Sequence, residues 1–263
     1  MMTTPTGITS AVVDRCLTAD RTALWEQAKV TNVKRTLSGT VLRLDLNKVS
    51  NALPGQYYLV RLAVDAAPGV VEQAYSLCSS PYPPSTEVEI AVREVPGGRV
   101  SPLLAHQVQV GDRLQVRGPF GVLTWTEQDG GPLGLVGAGT GVAPLVSIVR
   151  YAAARQLAVP MTLLCSSRDR TTALLLGELE VLTRGLPWFS LVCTYTRCPH
   201  DHRADYRHRI DTSMLAEVFE THKRAFGSTS YYVAGSGNMV ISIRTMLGSL
   251  GVSNDVIHSE DHA

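Results

Sequence analysis

Between Val136 and Pro144 the chain reads Val-Gly-Ala-Gly-Thr-Gly-Val-Ala-Pro, with an apolar run before it and a helix-like run after it. The chemistry open to such a turn is anion binding. Without side chains at Gly137, Gly139 and Gly141 the backbone can approach a pyrophosphate, and the next helix offers its unpaired N–H groups. Pro144 suits the first helical turn, where a missing N–H costs nothing. No Lys-Ser or Lys-Thr pair follows, so the turn is not a nucleoside triphosphate loop. For the glycines alone, a tight packing turn is the bland alternative. The five cysteines, Cys16, Cys78, Cys165, Cys193 and Cys198, are scattered, and only the last two lie close together. Neither an iron–sulfur spacing nor a zinc-type pair of pairs is present, so no metal site is expected.

Those groups need elements to position them. At 263 residues, with 44% apolar and 18% charged side chains, the chain has material for two packed domains. A net charge of +1 gives no basic footprint for nucleic acid. The stretch from Gly130 to Val149 has no ionisable side chain, yet its six glycines and two prolines suit a buried strand, loop and helix better than a membrane span. No membrane insertion is expected. Met1-Met2-Thr3-Thr4-Pro5 lacks the pattern of an export signal. With an odd cysteine count, that points to reduced thiols and a cytoplasmic location.

Two rhythms divide the chain. Residues 25–33, 40–46, 55–62, 74–77, 88–92 and 113–117 read as short strands with Gly and Pro punctuation. A short helix is expected at 100–106, so this half predicts a six-stranded antiparallel β-barrel. After Gly130-Gly131-Pro132, strands at 133–136, 161–165, 190–194, 230–234 and 255–258 alternate with helices at 145–156, 173–182, 212–220 and 239–250. That alternation predicts an α/β domain with a parallel sheet. The division reads as a flexible tail over 1–20, a barrel over 21–128 and the α/β domain over 129–263.

Several further segments agree in order with the glycine turn. Gln73-Ala74-Tyr75-Ser76-Leu77-Cys78-Ser79 resembles the Arg-x-Tyr-Ser-x-x-Ser flavin motif of the ferredoxin–NADP⁺ reductase superfamily. Gly97-Gly98-Arg99-Val100-Ser101 resembles its flavin-pyrophosphate turn, with Ser101 a reasonable helix N-cap. Gly118-Pro119-Phe120-Gly121 resembles the segment that closes the barrel, and Tyr232-Val233-Ala234-Gly235-Ser236-Gly237-Asn238-Met239 the one beside the nicotinamide. The likeness covers about residues 25–260 and is strongest to the flavin and nicotinamide module of bacterial oxygenase reductases.

The resemblance implies FAD in the barrel and NADPH or NADH on the α/β domain. It implies that hydride passes to the flavin and single electrons then pass to a separate ferredoxin, oxygenase component or other metalloprotein. Tyr75, Ser76, Leu77, Ser79, Arg93, Gly98, Arg99, Val100 and Ser101 would hold the flavin. Gly139, Thr140, Gly141, Pro144, Gly235 and Met239 would hold the nicotinamide nucleotide. Ser166, Arg168, Arg197 and Arg209 offer partners for a 2′-phosphate, which leans toward NADPH, although Asp169 could turn Arg168 away. Ser76, near the reactive flavin nitrogen, and Glu260, as a proton relay, are the catalytic candidates.

Three departures from the family pattern stand out. Gln73 replaces the motif arginine, so looser flavin binding is expected, with Arg93, Arg99 or, less directly, Arg61 supplying the missing cation. Ala234 stands at the position of a cysteine that orients the nicotinamide. His262 stands where an aromatic wall is usual. Two rival readings stay open: a reductase that releases free reduced flavin, and a non-catalytic flavin- or nucleotide-binding subunit of a larger complex.

Overall fold

A computed structural model describes residues 24–63, 70–226 and 229–261. The expected tail over 1–20 and His262 lie outside the described residues. The first half forms strands β1 (Glu26–Thr36), β2 (Gly39–Asp45), β3 (Tyr57–Ala63), β4 (Val70–Ser76), β5 (Glu87–Val92) and β6 (Arg113–Phe120). They pair antiparallel in the order β4-β3-β6-β1-β2-β5. A bridge from Leu77 to Ile90 joins the two edge strands and closes the barrel. Alternation drives this packing: Leu42, Leu44, Val60, Ile90 and Val116 point inward and are almost fully buried.

The second half runs β7 (Leu133–Ala138), α1 (Val142–Ala154), β8 (Met161–Ser167), α2 (Leu176–Gly185), β9 (Phe189–Tyr195), α3 (Thr212–Phe226), β10 (Ser230–Gly235), α4 (Gly237–Ser249) and β11 (Ile257–Asp261). Its parallel sheet has the order β11-β10-β7-β8-β9. Leu133 and Leu135 face Leu145, Ile148 and Leu179 on one side. Val136 and Val233 face Leu215, Phe219 and Ile243 on the other. The chain builds outward from β7 to β9, then returns to lay β10 on β7's other edge. That reversal places a crevice at the carboxyl ends of β7 and β10, where open α/β sheets take their ligands.

The two-domain expectation holds, and several element bounds differ from the expected ones. β4 begins at Val70 rather than at 74, because Glu72, Gln73 and Ala74 are all exposed and hide the alternation. The expected helix over 100–106 is a single helical turn at Ser101–Pro102 that widens into a π-helical segment, Leu103–Gln107. α2 begins at Leu176, after Leu175 takes a left-handed conformation. β11 is shifted toward the C-terminus and carries Glu260 into the sheet. Among the described residues no helix is long and apolar enough to cross a membrane.

Candidate functional site

The cleft between the two domains has a volume of about 470 Å³, within the range of small-molecule sites. The barrel contributes Tyr57, Gln73, Tyr75, Ser76, Arg93 and the turn from Gly98 to Ser101; the α/β domain contributes Thr140, Ala143, Glu260 and Asp261. Nine sequence-derived candidates therefore share one lining: Tyr75, Ser76, Arg93, Gly98, Arg99, Val100, Ser101, Thr140 and Glu260, with the substituted Gln73 beside them.

Each is placed by its element. Tyr75 and Ser76 end β4, which pairs with β3 so that Tyr57 lies across from Ser76. The Ser101 hydroxyl does not cap its helix as expected: it accepts from Val95 N–H at 3.0 Å and pins the turn that carries Gly98. A Cβ on Gly98 would come within 2.9 Å of that hydroxyl and of the Val95 carbonyl, so the tightness of the turn requires glycine. Arg93 follows β5 and reaches across to the nucleotide turn. A Cβ on Gly139 would lie 2.9 Å from its guanidinium nitrogens, and Gly139 itself has φ +58°. Burial, then the neighbouring charge of Arg168, lowers the Arg93 pKa below its usual value. Two cations thus flank the carboxyl end of β7, a setting that favours a bound anion.

Gly141 packs against β10, where a Cβ would fall 2.1 Å from the Ala234 carbonyl oxygen. Ala234 is fully buried there. The Met239 sulfur lies over Gly235. Pro144 is buried within the first turn of α1. Leu77 is core beneath the cleft. The Ser79 hydroxyl accepts from Glu89 N–H at 2.9 Å. Ser166, next to last in β8, lies opposite Ala138. Arg197 N–H donates to the Arg168 carbonyl at 2.8 Å, bringing those two residues together, whereas Arg209 is exposed on the loop before α3. Asp169 is occupied in capping its own turn, accepting from Thr172 N–H at 2.9 Å and from the Thr171 hydroxyl at 2.6 Å. Arg61 faces away from the cleft: it is paired with Glu72 at 2.5 Å and stacked on Trp25 at 3.8 Å.

Among the described residues, Tyr75 Oη and Glu260 Oε2 are buried in the cleft wall without a hydrogen-bond partner. Buried polar groups are ordinarily satisfied. Burial, with a smaller push from Asp261, raises the Glu260 carboxyl to about 7. Burial, then Glu260, also raises the Tyr57 hydroxyl. Sequence reasoning passed over Tyr57, whose only signal was its place on a strand after a turn glycine. It also passed over Arg150, a lone cation in the apolar run of α1. Orphaned polar atoms, a glycine-tight turn and nearby guanidinium charge fit a flat, polar-edged ring carrying a phosphate chain.

Fold and cleft together define an oxidoreductase with one nucleotide cradle in a barrel and a second at a sheet's switch point. Residues 28–125 match the oxidoreductase FAD-binding domain family, and residues 135–245 match the oxidoreductase NAD-binding domain family. The chain is an FAD- and NAD(P)H-binding reductase module related to bacterial oxygenase and ferredoxin reductase systems. It is 26% identical over 204 residues to the reductase component of propane 2-monooxygenase from Mycolicibacterium smegmatis, covering 78% of this chain and 57% of that protein. It is 27% identical over 245 residues to the ferredoxin–NAD(P)(+) reductase component of the naphthalene 1,2-dioxygenase system of Pseudomonas putida, covering 88% and 70%. A cytochrome P450 reductase from Amycolatopsis superposes with TM-score 0.76 at 26% identity, covering 92% of this chain and 71% of that one. The chain thus spans little more than half the length of the propane monooxygenase component.

Proposed function

We propose that the protein takes reducing equivalents from NADPH or NADH through FAD and delivers them, one electron at a time, to a separate redox protein such as a ferredoxin or an oxygenase component. The observation that carries this reading is one cleft lined jointly by Tyr75, Ser76 and Arg93 from the barrel and by Thr140 and Glu260 from the α/β domain. When bound, the two cofactors supply hydride transfer from nicotinamide to flavin, followed by stepwise electron release. This chain's residues do the rest. Tyr75 and Ser76, with Leu77 and Ser79 behind them, form the ring's bed. Gly98, Arg99, Val100 and Ser101 cradle the flavin pyrophosphate. Gly139, Thr140, Gly141 and Pro144 present backbone N–H groups to the nicotinamide nucleotide, with Gly235 and Met239 at the nicotinamide end. Ser166, Arg168 and Arg197 lie where a 2′-phosphate would be read, and exposed Arg209 borders them. Glu260 holds a proton at its carboxyl near neutral pH, available to the cleft.

Arg93 serves the nucleotide turn better than the flavin phosphate, since its guanidinium lies on Gly139. The domain boundary falls at 128/129 in this reading, and a cytoplasmic setting suits its buried free thiols Cys78, Cys165 and Cys193. Similarity to reductase components of oxygenase systems supports a protein acceptor. Release of reduced flavin is the second reading, favoured by Gln73 in the cleft wall where a cation would strengthen retention. Anaerobic stopped-flow mixing of the purified yellow protein with NADPH and NADH tests both readings. Retained flavin that bleaches and is reoxidised by an added ferredoxin supports the first; reduced flavin that leaves on gel filtration supports the second.

A further inference from the structure

We propose that Arg150 is a positioning residue that, through α1, sets the approach of the nicotinamide-binding turn to the flavin-binding motif. The proposal rests on the reductase reading above. Helix α1 begins directly after Gly141, at the nucleotide turn, and runs along the seam between the domains. Ser147 and Arg150 stand three residues apart and so share one face of it. The Ser147 hydroxyl, on a fully buried residue, donates to the Ser79 carbonyl at 2.7 Å. Arg150 Nη1 donates to the Cys78 carbonyl at 2.6 Å and to Glu89 Oε2 at 2.8 Å. These two carbonyls follow Tyr75 and Ser76 in the same short segment. The helix that opens one cofactor cradle is therefore bonded along its length to the exit of the other. About 13 Å of rigid helix separates Gly141 from Arg150.

The clamp is over-determined. Arg43 on β2 holds the other Glu89 oxygen at 2.8 Å, and Glu178 on α2 accepts from Arg150 Nε. Glu89 of β5, Glu178 of α2 and the Cys78 carbonyl converge on one guanidinium, whose side chain retains only 21% exposure. A planar fork can serve the carbonyl and both carboxylates at fixed angles, which a lysine point charge cannot. Around it Ala143, Leu174, Cys78 and Ala91 form an apolar patch. Without that clamp, the nucleotide turn would shift by about 1 Å against the flavin motif. A displacement near 1 Å costs about 100-fold in a reaction that needs near-contact donor and acceptor atoms.

The test compares wild type, Arg150→Met, Arg150→Lys and Ser147→Ala as flavin-loaded proteins. In anaerobic stopped-flow at saturating NAD(P)H, the limiting rate of flavin bleaching should fall about 100-fold in Arg150→Met and several-fold in Ser147→Ala, with partial recovery in Arg150→Lys. Flavin content and the nicotinamide dissociation constant should change less than about threefold, and the long-wavelength charge-transfer absorbance should weaken. Independently of activity, hydrogen exchange on the cofactor-free proteins should quicken at residues 78–80 in Arg150→Met. An unchanged limiting rate in folded, flavin-loaded Arg150→Met overturns the proposal, as does a loss confined to stability or flavin content. If Arg150→Met does not fold, an unchanged rate in Ser147→Ala overturns it. Failure of wild type to bleach with either nicotinamide overturns the reductase reading itself, before any variant is compared.

Discussion

Burial holds the Glu260 carboxyl in its protonated form far past the usual carboxylate range, and the neighbouring Asp261 adds to the shift, to about 7. Because the folded value lies above the unfolded one, protonation of Glu260 stabilises the folded chain. That contribution is complete below about pH 4.5 and is lost as pH rises to about 7. After discounting for partial exposure it is on the order of 2 kcal/mol. Glu260→Gln stays neutral throughout, so the cofactor-free variant should match wild type below pH 4.5 and melt several degrees higher at pH 8. Parallel melting curves across pH 4–8 would show that the carboxyl is not buried in this way. The position of Glu260 was legible through family likeness, but its environment was not. Tyr57 and Gly121 crowd it from two other segments, and no local pattern joins them to it. Arg93 shows the same limit. Its type signalled an anion, while only the fold reveals that its guanidinium lies against Gly139 of the nucleotide turn.

Elements were legible wherever one face is buried and the other is not. β2 buries Thr40, Leu42 and Leu44 in strict alternation, and its expected bounds agree with the structure to within a residue. β4 fails that test because three successive residues are exposed, so half of it was invisible. The glycine turn was visible, but not the reason for each glycine. Gly141 and Gly177 differ sharply in this respect. A methyl at Gly141 meets the Ala234 carbonyl of β10, whereas one at Gly177, in the first turn of α2, meets nothing within 4 Å. Gly141→Ala should therefore push α1 off the switch point, costing about 1–3 kcal/mol and weakening nicotinamide nucleotide binding. Gly177→Ala should raise stability by about 0.5 kcal/mol through the helix and the unfolded chain. Thermal melts, at about 2–4 °C per kcal/mol, resolve the two signs, and a harmless Gly141→Ala would show that the crevice has room to spare.

At the scale of the whole molecule, two cores of different construction meet at a seam in which the carboxylate of Glu89 is one of several polar ties. Glu89 leaves β5 of the barrel and is held by Arg43 from β2 and by Arg150 from α1. Burial alone would raise its pKa, but the two guanidinium partners outweigh that and keep it below the usual value. The linkage therefore runs opposite to that of Glu260: its contribution is present above the unfolded value of 4.5 and is lost as pH falls through the lower folded value. Glu178 pairs with Arg150 inside the α/β domain and Glu87 with Arg43 inside the barrel, so neither pair crosses the seam. Each domain keeps its own apolar core, which does not titrate. As a cofactor-free solution is acidified below pH 4.5, the radius of gyration from small-angle scattering should rise before far-ultraviolet circular dichroism declines. Glu89→Gln should show the larger radius already at pH 7, with its helix and strand signal intact. Simultaneous loss of compactness and secondary structure in wild type, or an unexpanded Glu89→Gln, would mean that the apolar patch of Cys78, Ala91, Ala143 and Leu174, with the bonds to the Cys78 and Ser79 carbonyls, suffices to hold the domains in register.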